Sequence, residues 1–231
     1  MIVAIDGPAG AGKSTIARQF AQQEGFQYLD SGAFYRCYAC AALDEGLNLN
    51  VPQGLKEFLQ NQRVEADYSK DSPTYTLNGE DVTRRIRSNE ISQLVSKVAS
   101  LGEVRDEVVK RLREVSHSGN FIVDGRDIGT VVFPDAELKF FLTASIEERA
   151  QRRYLELKGK GEEVPLATLQ EQIRRRDEAD SKRVIAPLSM AQDAILIDSS
   201  DLNVKQVIDV MSQHLNADIH HSIEANEPRQ S

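Results

Sequence analysis

The chain of 231 residues has no tryptophan, two cysteines and four histidines, and each scarcity closes a route. His117, His214, His220 and His221 fall at a helix end and in the C-terminal stretch, so a Ser-His-Asp relay or a histidine metal centre has no material. Cys37 and Cys40 make a lone C-x-x-C inside the apolar stretch from Tyr35 to Leu43, away from a helix start and with no second Cys/His pair. Two small buried residues on one helix face fit them better than a redox or zinc pair. No apolar run approaches the roughly 20 residues that a membrane helix needs, so no membrane partner is expected. Positive charge is short as well: 28 Lys+Arg against 36 Asp+Glu leave a formal net charge of −8. That balance withholds the positive field of non-specific duplex binding, and no nucleic-acid partner is expected. The opening Met1-Ile2-Val3-Ala4-Ile5-Asp6 lacks a basic leader, which predicts a cytoplasmic location.

What is present is ordinary globular composition, 40% hydrophobic and 28% charged, enough for a large α/β core with a smaller lobe. Apolar runs at 2–5, 27–29, 121–123, 138–142 and 194–197, separated by helical stretches, predict a parallel sheet covered on both faces. Helices are expected near 13–24, 31–46, 88–100, 102–116, 145–158, 166–184 and 203–216. Residues 63–87 instead alternate around Asn78-Gly79, which predicts an inserted antiparallel lobe with a tight hairpin. After Leu215 the chain turns polar and predicts a frayed tail.

Gly7-Pro8-Ala9-Gly10-Ala11-Gly12-Lys13-Ser14 satisfies G-x-x-x-x-G-K-[ST] between an expected strand and an expected helix. Glycines let backbone N–H groups curl around an anion at a helix N-terminus, and lysine reaches the β and γ phosphates. The Ser14 hydroxyl is placed for Mg²⁺. The guanine-reading Asn-Lys-x-Asp and the Asp-x-x-Gly of a GTPase switch are both missing.

Arginines supply the second signal. Arg36 follows the strand-end Asp30-Ser31-Gly32, and Arg126 lies in Asp124-Gly125-Arg126-Asp127, so both belong where open parallel sheets bind ligands. Arg176, Asp180 and Arg183 share one face of a late helix that also carries Arg174 and Arg175. This face is either a second anion site or a solvated, salt-bridged surface. Arg149, Arg152 and Arg153 precede Lys158-Gly159-Lys160-Gly161, which reads either as a lid hinge or as a plain surface helix and loop.

The runs Ile5–Ser14, Asp30–Arg36 and Asp124–Pro134, with Arg176-Asp177 to Arg183 before Ala186-Pro187-Leu188, resemble bacterial-type cytidylate kinases across about residues 1–212. The Asp-Gly-Arg-Asp-Ile-Gly-Thr block is the most specific part. The resemblance implies an α/β P-loop nucleotide kinase fold with a five-stranded parallel sheet, a small inserted antiparallel β lobe and a mobile lid. It divides the chain into a core at 1–58 and 118–218, with the lid about 150–166, a nucleoside monophosphate-binding insert at 59–117 and a flexible tail at 219–231.

The implied reaction is ATP- and Mg²⁺-dependent phosphorylation of CMP and dCMP by a monomer whose partners are those nucleotides. Lys13, Arg126, Arg176 and Arg183 are implied as catalytic. ATP is implied to contact Gly7, Pro8, Ala9, Gly10, Ala11, Gly12, Lys13, Ser14 and Thr15, with Arg149 and Arg153. The resemblance puts the acceptor phosphate on Ser31, Arg36 and Arg126, the ribose on Arg176 and Asp180, and the phosphates on Arg183. It puts cytosine on Ser96, Arg105 and Asp127, and Mg²⁺ on Ser14 and, through water, Asp124. The alternatives are a P-loop kinase for another acceptor such as UMP or AMP, or an ATP-sensing regulatory module. A pure sensor has no need of the second arginine site.

Overall fold

The computed structural model describes residues 1–49, 54–68, 73–117, 119–159 and 161–226, with side chains described as far as residue 218. Its first half runs β1 (Ile2–Asp6), α1 (Lys13–Glu24), β2 (Gln27–Asp30), α2 (Ser31–Asp44), α3 (Leu55–Asn61), β3 (Val64–Asp67), β4 (Thr74–Leu77), β5 (Glu80–Asp81) and α4 (Asn89–Val98). The second half runs α5 (Gly102–Val115), β6 (Phe121–Asp124), a π-turn (Ile128–Val132), β7 (Leu138–Thr143), α6 (Ile146–Gly159), α7 (Leu166–Ser181), β8 (Ile195–Asp198) and α8 (Val204–Asn226).

Val3 to Asp6 are all buried, a pattern that only a strand covered on both faces can carry, and β1 lies in the middle of its sheet. The five parallel strands follow the order β2-β6-β1-β7-β8. One face packs on α2, α4 and α5 through residues such as Phe34, Tyr38, Val108 and Leu112. The other packs on α1 and α8 through Ile16, Phe20, Val207 and Met211. Cys37 and Cys40 are free thiols buried in the first of these cores, and burial pushes the Cys37 thiol up to about 12.

The inserted lobe is the antiparallel sheet β3-β4-β5. Asn78 and Gly79 turn it with φ of 52° and 87°, between Leu77 and its partner Glu80. Two successive positive φ values are the type I′ geometry that suits a two-residue hairpin. The helices α6 and α7 form a hairpin with a small core of its own, Ala150 and Leu157 against Leu169 and Ile173.

Three elements differ from the sequence expectation. The short α3 has only two buried residues, Leu55 and Phe58, too few for a periodic signal. The π-turn begins at Ile128, after Gly125, Arg126 and Asp127 at the end of β6, where a loop is expected. The last helix continues to Asn226, beyond the expected end at 216 and into the expected tail, because no glycine or proline interrupts it before Pro228. Residues 227–231 of that tail lie outside the described residues.

Candidate active site

The sheet register sets the strand ends side by side: Asp124 of β6 pairs with Asp30 of β2 on one side and with Ile5 of β1 on the other. Asp6, Asp30 and Asp124 are therefore buried together at the carboxyl edge of the sheet. The loop from Gly7 to Gly12 springs from this edge. Gly7 has φ 147°, and a Cβ there would stand 1.9 Å from the Leu142 carbonyl oxygen, so no side chain fits. Lys13 is buried, and its Nζ donates to the Pro8 carbonyl at 2.8 Å. Burial, followed by the charge of Arg126, pulls its ammonium well below the usual range. A site under such stress favours an anion.

The Ser14 Oγ donates to Asp124 Oδ2 at 2.9 Å, and Tyr28 donates to Asp124 Oδ1 at 2.8 Å. Burial and neighbouring Asp30 push the Asp124 carboxyl upward. Ser31 Oγ donates to the Asp124 carbonyl at 2.6 Å, an approach that Gly125 permits because a Cβ there would meet Ser31 Oγ at 2.7 Å. Thr15 is exposed in the first turn of α1. Among the described residues no group of three or more His, Cys, Asp or Glu is placed to hold a metal. The hydroxyl of Ser14 and the carboxylate of Asp124 still fit Mg²⁺, which takes one or two protein oxygens and completes its shell with phosphate and water.

Facing the loop is a concentration of cations. Arg126 Nε donates to Asp180 Oδ2 at 2.9 Å, and Arg183 pairs with Asp180 Oδ1. Ser96 Oγ approaches the same Oδ1 at 3.5 Å. Arg126, Arg183 and Arg176 together hold the Asp180 carboxyl below its ordinary range in spite of its burial. Arg36 donates to Ser92 Oγ at 2.9 Å, and Arg87 holds Asp30 at 2.6 Å. The Nε atoms of Arg176 and Arg183 are buried with no hydrogen-bond partner. Burial, then Arg126 and Arg36, drive the Arg176 guanidinium down from its usual range. Buried donors in a field of like charge carry a standing penalty that a bound polyanion removes.

Arg105 and Asp127, expected at the base, form a buried ion pair with each other. Arg105 Nη1 also donates to the Ala99 carbonyl at 3.0 Å, and its guanidinium lies 5.4 Å from the centre of the Tyr35 ring. The Tyr35 hydroxyl is buried without a partner.

The α6 arginines also make contacts within the protein. Arg149 is 4% exposed and spends its guanidinium inside the protein, on the Ala144 carbonyl at 2.9 Å, the Ala9 carbonyl at 2.9 Å and Asp177 Oδ2 at 2.5 Å. It braces the phosphate loop from behind with three of its five N–H donors. Asp177 completes the brace by accepting from the Ala9 N–H at 3.2 Å. Arg152 donates to Ser199 O at 2.6 Å, while Arg153 pairs with Glu156 on its own helix. The sequence reading also missed Tyr28, Tyr35, Asp30, Arg87 and Asp177. Of these, Asp177 has a visible signal, an acid amid the late arginines.

A phosphate loop at the carboxyl edge of a parallel sheet, opposed by clustered arginines of which two keep a buried Nε without a partner, defines a P-loop kinase of small acceptors. The comparisons with known proteins narrow that class. The cytidylate kinase family model matches residues 3–217. The cytidylate kinase of Caldanaerobacter subterraneus subsp. tengcongensis is 48% identical over 207 residues, which is 90% of this chain and 91% of the relative. That of Pseudomonas aeruginosa is 48% identical over 216 residues, 92% of this chain and 94% of the relative. The cytidylate kinase of Bacillus subtilis is 47% identical over 207 residues, 90% and 92% of the two chains. The chain belongs to the cytidylate kinase family. The fold alone is shared with an uncharacterised protein from Eubacterium ventriosum, at a TM-score of 0.53, 12% identity and coverage of 94% and 98% of the two chains. Among the described residues no helix is long and apolar enough to cross a membrane.

Proposed function

We propose that this chain catalyses MgATP + CMP → ADP + CDP, with dCMP as a second acceptor, as a monomer in the cytoplasm. The observation that carries the reading is the pair of partnerless buried Nε atoms on Arg176 and Arg183, opposite a complete phosphate loop.

An oxygen of the CMP phosphate attacks the γ-phosphorus of ATP. That P–O bond forms while the bond from the γ-phosphorus to the β–γ bridging oxygen breaks, and ADP leaves with the electron pair. The second pKa of a phosphate monoester is about 6, so the nucleophile is largely dianionic at neutral pH and needs no general base. The scarcity of histidine fits that chemistry. The work left to the protein is alignment and charge neutralisation. Lys13 and the loop amides hold the donor phosphates; Ser31, Arg36 and Arg126 hold the acceptor phosphate; Arg176 and Arg183 meet the transferring group. Bound Mg²⁺ supplies further neutralisation of the ATP phosphates, with Ser14 and Asp124 to hold it.

Cytosine presents an N4 amino donor beside an N3 acceptor, and uracil reverses both. An ionised Asp127 accepts from N4 and Arg105 donates to N3 or O2, with Ser96 beside them, so the site favours CMP over UMP. The test is ADP release with CMP, dCMP, UMP and AMP as acceptors. CMP-dependent release is expected, falling about 10³-fold in Lys13→Ala. Release independent of any acceptor, or near-normal turnover by Lys13→Ala, overturns the reading.

A further inference from the structure

The N–H groups that open a helical turn have no partner within it, and the residue just before the turn usually satisfies them with its own side chain. Asp127 occupies that place before the Ile128–Val132 turn and is of a residue type that caps well, yet it makes no cap bond. Its carboxylate turns to Arg105. The cap comes from another strand: Asp6 Oδ1 accepts from the Ile128 N–H at 2.8 Å, and Asp6 Oδ2 from the Gly129 N–H at 2.7 Å. Asp6 is the last residue of β1 and directly precedes Gly7.

From this substitution of one cap for another we infer that Asp6 is a positioning residue, whose carboxylate caps the Ile128–Val132 turn and so releases Asp127 to face Arg105 and the acceptor base. The inference rests on the reading above in which Asp127 and Arg105 recognise cytosine. It adds a mechanical link: one side chain joins the start of the donor-phosphate loop to the segment that selects the acceptor. The environment agrees. Burial pushes the Asp6 carboxyl up to about 6, the two backbone N–H groups oppose that rise, Asp127 adds to it and Lys13 subtracts from it. A carboxylate is thus held where burial alone favours an uncharged group, and the two amides are what it serves.

Asp6→Asn preserves the shape but offers one carbonyl oxygen for two N–H groups and turns its own NH₂ toward the other. The expected result is a fall of roughly tenfold in the CMP-to-UMP ratio of kcat/KM, with a raised KM for CMP and a KM for ATP within about twofold of wild type. Asp127→Asn and the double variant complete the cycle. If Asp6 acts through Asp127, the double variant has the same ratio as Asp127→Asn alone. An unchanged ratio in Asp6→Asn beside a reduced one in Asp127→Asn overturns this inference and leaves the base reading standing. An unchanged ratio in Asp127→Asn removes the base reading and the inference with it. Asp6→Glu is made in parallel, and failure of both Asp6 variants to fold also overturns the inference, because Asp6 is then a requirement of the core.

Discussion

Two neighbouring helices, α6 and α7, carry three arginines each, and their arginines have opposite fates. On α6, Arg149 and Arg152 are consumed by carbonyls of the phosphate loop and of residue 199, and by Asp177 and Glu148. On α7, Arg176 and the Arg183 that follows the helix keep buried Nε atoms unpartnered beside Arg126 and Arg36. One set is spent on the protein's own oxygens, and the other keeps two buried Nε donors without a partner. The difference is in what lies opposite: α6 faces backbone oxygens that need donors, whereas α7 faces the open carboxyl edge of the sheet.

The comparison breaks first at Arg149. Arg149→Ala leaves the Asp177 carboxylate and two carbonyls short of a donor, and losing one partner of a buried pair costs about 3 kcal/mol or more. The expected outcome is a drop in melting temperature of roughly 6–12 °C for a domain of this size, with a raised KM for ATP as the loop loosens. Calorimetry and ATP titration check it. A variant with wild-type stability and a selective loss of kcat places Arg149 in contact with ATP and erases the contrast.

Arg176 and Arg183 sharpen it from the other side. Replacing either by Ala removes a charge-assisted contact to a polyanion and lowers kcat/KM by about 10- to 100-fold. Stability should hold or rise in Arg176→Ala, because that removal relieves repulsion with Arg126 in the free enzyme, whereas Arg183→Ala takes a partner from the buried Asp180 carboxylate and should lower it. Steady-state kinetics beside thermal melts separate the two effects. Loss of stability without loss of rate makes these arginines structural, like Arg149.

How much of this was readable in the chain follows from where each signal resides. The phosphate loop is local chemistry, its glycines, Lys13 and Ser14 lying within one strand-to-helix turn, and the structure builds that turn as the spacing demands. The sheet was legible because apolar runs bounded by helices admit few arrangements. The fate of each arginine was not, since it depends on partners far away in sequence, such as Ala9 for Arg149, 140 positions apart. The Asp6 cap was hidden for the same reason, 122 positions separating it from Ile128. The π-turn itself has no periodic signature, and Asp127 before it resembles any ordinary cap.

The smallest effect tests whether helical spacing alone explains anything. Arg174 sits two residues from Arg176, turned roughly 200° around the same helix, so the two cannot serve one cleft. Arg174 pairs with Glu171 one turn earlier, and both side chains are about half exposed. An exposed i,i+3 pair adds little, since water screens the charges and holding two long side chains costs entropy. Arg174→Ala is therefore expected to change kcat/KM by less than about twofold and melting temperature by less than about 2 °C. The measurement is informative because Arg174 and Arg176 differ in surroundings and not in residue type, helix or net charge removed. If Arg174→Ala slows the enzyme as much as Arg176→Ala, the effect of both is the general positive field of α7, and the partnerless Nε of Arg176 has no special part in it.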